Sequence, residues 1–90
     1  MINHQYKQMV TKVTNQQLMP MTVDKKLTQN DLQLLSNQSA NAPVHVNSAI
    51  SFLLNNFMNI SSLADKDASS ISEQDINSFS QQNTTFSIQA

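Results

Sequence analysis

One stretch constrains this chain more than any other: Lys26-Leu27-Thr28-Gln29-Asn30-Asp31-Leu32-Gln33-Leu34-Leu35, which is nearly restated at Ser70-Ile71-Ser72-Glu73-Gln74-Asp75-Ile76-Asn77-Ser78-Phe79. Both copies read apolar residue, hydroxyl, two polar residues, Asp, apolar residue, then another apolar residue three positions on. Sliding the chain by 44 residues, the separation of Leu27 from Ile71, extends the agreement to both sides without a gap. Tyr6 then falls on Ile50, Met9 on Leu53, Val13 on Phe57, Met19 on Leu63 and Ser36 on Ser80. Two helical hairpins share apolar periodicity by chance, but a register that survives the connecting loops, where helical period gives no help, favours an internal duplication.

Each copy is read as a helix, a loop and a second helix. Ile2, Tyr6, Met9, Val10 and Val13 recur at helical spacing, which predicts a first helix over residues 3–17 that stops at or just before Pro20. Met19, Met21 and Val23 follow in a loop and are expected to fold down onto the core. Thr28 with Asp31 three later predicts a capped helix start, because the hydroxyl takes an orphan amide and the carboxylate favours the positive helix end. That second helix is expected to end near residue 37, and residues 36–43 have turn chemistry. Asn47 or Ser48 is expected to cap a third helix whose apolar residues, Met58 among them, cover most of its circumference. Ser72 with Asp75 then opens a fourth, fading near residue 82. The expectation is a single all-α domain over residues 1–82, four helices in two helix-loop-helix units at about 2–38 and 46–82, with residues 83–90 a frayed tail.

The two units resemble a pair of EF-hands, on the strength of Leu27-Thr28-Gln29-Asn30-Asp31-Leu32 and Ile71-Ser72-Glu73-Gln74-Asp75-Ile76. The resemblance implies that Leu27 and Ile71 meet in a short antiparallel β contact and that Asp31 and Asp75 close the two loops. An EF-hand loop holds Ca²⁺ with oxygen ligands at its first, third and fifth positions, glycine at the sixth and a bidentate Glu at the twelfth. Counting back from Asp31 gives Pro20, Thr22, Asp24 and, at the sixth, Lys25; counting back from Asp75 gives Ala64, Lys66, Ala68 and Ser69. The chain has no glycine at all. No metal is therefore expected. Shifting the second frame by one brings Asp65, Asp67 and Ser69 to ligand spacing, with Asp75 beyond, and these four are the candidates for a weak Ca²⁺ site.

Composition excludes several other chemistries. The 90 residues carry a formal net charge of −1, all five basic side chains are Lys, and there is no Cys. Without Arg the bidentate donors of phosphate and base-edge recognition are missing, so no nucleic-acid partner is expected. Without Cys there is neither disulfide nor thiolate site, and without Gly neither a phosphate-cradling loop nor a Ser flanked by glycines. His4 and His45 read as surface histidines. An enzyme is not expected. The longest oily run, residues 49–54, is too short to span a bilayer, and the opening residues lack a signal-peptide core, so no membrane partner is expected and the cytoplasm is the default compartment.

What remains is binding. Five methionines invite comparison with adaptable grooves that receive a partner helix. The leading reading is a non-enzymatic protein-protein interaction module whose groove is lined by Met19, Met21, Leu34 and Phe52. Two others stand beside it: a weakly Ca²⁺-binding or Ca²⁺-stabilised protein, and a small exported or assembly component.

Overall fold

In a computed structural model, residues 4–38, 41–64 and 68–81 are described. The expectations placed on Ile2, Asp65, Asp67 and the tail at 83–90 lie outside them. The described chain is mostly helical, with one small two-stranded sheet. Its elements are α1 (His4–Val13), a π turn (Thr14–Leu18), a 3-10 turn (Met19–Met21), β1 (Lys26–Leu27), α2 (Gln29–Gln38), α3 (Val44–Asn55), α4 (Phe57–Ser61), β2 (Ile71–Ser72) and α5 (Glu73–Gln81).

The sheet is the hinge of the architecture. β1 and β2 pair antiparallel, Leu27 opposite Ile71 and Lys26 opposite Ser72. Period-2 alternation turns Leu27 and Ile71 inward, and both are fully buried. Each strand leads directly into a capped helix. Thr28 N–H donates to Asp31 Oδ2 at 3.1 Å while Asp31 N–H donates to Thr28 Oγ1 at 3.0 Å. Ser72 and Asp75 repeat the exchange at 2.9 and 3.2 Å. These are two reciprocal capping boxes, each satisfying donors that a helix start leaves orphaned.

Around this pair α1 packs against α3 and α5, α2 against α3, and α4 against α5. A tilted aromatic column joins three of them. The Tyr6 and Phe52 rings lie 5.6 Å apart and those of Phe52 and Phe79 5.5 Å apart, each such pair contributing about 0.5–1.5 kcal/mol beyond its buried area. Tyr6 also ties α1 to α3 through a hydrogen bond of 2.8 Å between its hydroxyl and Ser48 Oγ. Lys7 is buried beside the column with Nζ 5.9 Å from the Phe79 ring centre, its long stem packed and its ammonium over a negative ring face.

Several boundaries differ from expectation, each for a physical reason. The first helix does not stop before Pro20: it widens into the π turn, tightens into the 3-10 turn and carries Pro20 at the start of that last turn, where a missing N–H costs no bond. Buried Thr14 donates its hydroxyl to Val10 O at 2.7 Å at the point where α geometry is lost, as expected of a hydroxyl that competes for the helical carbonyl. The third helix starts at Val44, ahead of both Asn47 and Ser48, because Pro43, with φ −56° and ψ 151°, presets the turn and accepts Val46 N–H at 3.0 Å. It is also split. Buried Asn56 leaves helical geometry and sends Nδ2 to Phe52 O at 3.0 Å, separating α3 from α4. Met58, on α4, is exposed rather than part of the core. Of the three apolar loop residues, Met19 folds inward as expected, whereas Met21 and Val23 are exposed, since the chain turns away from the core after the 3-10 turn.

Candidate functional site

The two loops between helices end differently although they occupy equivalent places in the repeat. In the second, Asp75 is fully buried and both carboxylate oxygens are used. Oδ2 accepts the Ser72 N–H at 2.9 Å and the Ser72 hydroxyl at 3.0 Å, and Oδ1 accepts the Ala64 N–H at 2.9 Å. Ser61 adds a second tie, donating to Ala68 O at 3.2 Å. The carboxylate therefore staples the loop's first residue to the start of α5. A buried charge held by three donors is a stable arrangement, whereas one left unpaired is costly.

In the first loop the position equivalent to Ala64 is Pro20, which has no N–H to give. Among the described residues the Asp31 carboxylate is held by the Thr28 N–H alone, and Asp31 is only half-buried. Asp24 Oδ1 accepts Lys26 N–H at 3.2 Å, a bond local to the turn. Between them Lys25 takes φ 56°, the only positive φ among the described residues, a left-handed conformation that costs a non-glycine residue roughly 1–2 kcal/mol.

Between the first loop and α2 lies a hollow of about 680 Å³. Met21, Thr22, Val23 and Asp24 form its loop wall, and Asp31, Leu34, Leu35 and Gln38 its helix wall. Met21 is 67% exposed, Val23 fully so and Leu34 49% exposed. Met21, Leu35 and Gln38 also border a second hollow of about 240 Å³, floored by Leu18, Val46 and Ile50 and rimmed by Ala42 and Pro43. The two hollows have Met21, Leu35 and Gln38 in common.

Of the four residues expected to line a groove, Met21 and Leu34 do. Met19 and Phe52 do not: both are sealed in the core, Met19 at the start of the 3-10 turn and Phe52 between Tyr6 and Phe79. Val23, Leu35 and Val46 were missed. Their signal was weak, because a lone valine in a loop and the shoulder of an amphipathic helix look like ordinary surface and ordinary core. Among the candidate metal ligands, Asp75 has both oxygens occupied and Ser69 is exposed, while Asp65 and Asp67 lie outside the described residues. Among the described residues no three His, Cys, Asp or Glu side chains gather where they could share a metal ion. His4 and His45 are exposed on different helices, and among the described residues no helix is long and apolar enough to cross a membrane.

A third hollow, of about 230 Å³, lies between α1, the π turn and α5, lined by polar side chains and by Lys7 and Lys12. Asn15 Oδ1 at its edge is buried without a hydrogen-bond partner. No residue with a wholly apolar side chain is among its lining residues.

A scan against protein-family models and searches of curated proteins and of solved structures return no match.

Proposed function

We propose that the chain is a non-enzymatic interaction module, a degenerate EF-hand-like pair that uses its open first loop and α2 as a receptor for an apolar, helix-forming segment of a protein partner. The observation that carries this is the exposure of Met21, Val23 and Leu34 around one hollow. Scattered apolar side chains on a surface are ordinary, but apolar residues converging on a concavity favour a binding role. A helix laid in such a groove would bury Leu34 and the flexible Met21 together.

The EF-hand likeness is supported by the pairing of Leu27 with Ile71, by the twin capping boxes and by Lys25, whose left-handed backbone falls at the sixth loop position counted back from Asp31. EF-hands place glycine there for the same turn. The calcium reading is weakened by Asp75, since the carboxylate that would close the second loop on an ion already closes it on Ala64.

The test pairs two measurements. Neither Ca²⁺ nor EDTA is expected to change the melting temperature, and a helical peptide of Leu and Gln is expected to shift the amide resonances of Val23 and Leu34 in the intact chain but not in Leu34→Glu. A Ca²⁺-induced rise in melting temperature with movement of the Ser69 and Asp75 amides would instead establish the calcium reading.

A further inference from the structure

The groove has a polar end as well as an apolar one, and the repeat explains why. In the second unit the closing carboxylate has three donors, two from Ser72 and one from Ala64. In the first unit Thr28 supplies one, and proline at the place of Ala64 removes the donor from across the loop. The Asp31 carboxylate consequently lines the hollow with acceptor capacity unused among the described residues. Asp24 lines the same wall. The neighbouring Lys25 and Lys26 are exposed and are not part of the lining, so among the described residues the charged side chains lining the hollow, Asp24 and Asp31, are acidic.

We propose that Asp31 anchors a basic residue of the partner: the segment that fills the groove places a Lys or Arg on the Asp31 carboxylate and its following apolar side chains between Val23, Met21 and Leu34. The inference rests on the groove reading and adds the chemical class of its occupant. An ionised acceptor beside apolar walls selects a charged donor, because charge-assisted hydrogen bonds are shorter and stronger than neutral ones and strengthen further as water is excluded. An acidic segment is repelled by Asp24 and Asp31 together. A neutral apolar segment gains the hydrophobic contact and leaves the carboxylate facing desolvation without a partner, which weakens its binding.

The experiment titrates the ¹⁵N-labelled chain with three synthetic helical peptides that share a leucine stripe and carry Lys, Gln or Glu on the opposite face. The Lys peptide is expected to bind most tightly and to shift the amides of Val23, Asp31 and Leu34. Asp31→Asn keeps an acceptor for Thr28 and is expected to weaken the Lys peptide about tenfold while leaving the Gln peptide unchanged. Equal binding of the Lys and Glu peptides, or an Asp31→Asn variant that binds the Lys peptide as before, would overturn the anchor and leave the groove reading intact. Failure of all three peptides, or binding undiminished in Leu34→Glu, would overturn both. Concentration-dependent dimerisation that Leu34→Glu abolishes would overturn the proposal in favour of a second copy of the chain as the occupant.

Discussion

The first and second loops share a register, a strand, a capping box and a closing aspartate, yet among the described residues only the second aspartate reaches across its loop. One difference between the two is a backbone donor. Ala64 offers an N–H that Asp75 takes at 2.9 Å; Pro20, its counterpart, cannot. Two similar sequence segments thus end in a carboxylate with three donors on one side and, among the described residues, one with a single donor beside a hollow on the other.

The places where the loops are alike set the largest effect. Leu27 and Ile71 are both fully buried in the strand pair, so Leu27→Ala and Ile71→Ala are each expected to cost about 2–5 kcal/mol in urea denaturation. A large cost on one side only would break the equivalence of the units. Next comes the contrast at the closing carboxylate. Asp75→Ala leaves the part-buried Ala64 and Ser72 donors without their acceptor and is expected to cost about 2–4 kcal/mol, whereas Asp31→Ala removes one half-exposed cap partner and costs about 1 kcal/mol. Thermal or chemical denaturation of the two variants side by side reads the difference, and equal losses would mean that the second loop is not stapled.

Pro20→Ala sharpens the comparison from the other direction. Supplying the missing N–H lets Asp31 close the first loop as Asp75 closes the second, with an expected gain of about 0.5–1.5 kcal/mol and weaker binding of the Lys peptide. A stability unchanged or lowered, with binding intact, would show that more than the proline holds the loop open. The smallest effect falls on the groove itself. Leu34→Glu changes a half-exposed side chain and is expected to move stability by no more than about 0.5 kcal/mol while abolishing peptide binding.

Much of this was legible in the sequence. The hydroxyl and Asp three residues apart gave both helix starts, because a capping box is a local arrangement that short-range chemistry determines. The pairing of Leu27 with Ile71 was implied by the resemblance to an EF-hand pair, and the two residues do pair. What could not be read was depth. Phe52 and Leu34 are both large apolar residues on helices, but only the packing of Tyr6 and Phe79 around Phe52 separates core from rim. The π turn, the split at Asn56 and the early start at Val44 each depend on which side chain competes for a particular carbonyl, and periodicity does not carry that information. The groove was half visible: Met21 and Leu34 pointed to it, while Val23 and Leu35 became part of it only when the loop stood away from α2.

Amide hydrogen exchange tests the asymmetry of the two loops most directly, without any variant or ligand. The Ala64 N–H, bonded to buried Asp75, is expected to exchange nearly as slowly as the amides of the core helices, while the amides of Val23 and Asp24 in the open loop exchange orders of magnitude faster. An Ala64 amide that exchanges as fast as that of Val23 would contradict a stapled second loop, and with it the division between a closed unit and an open one.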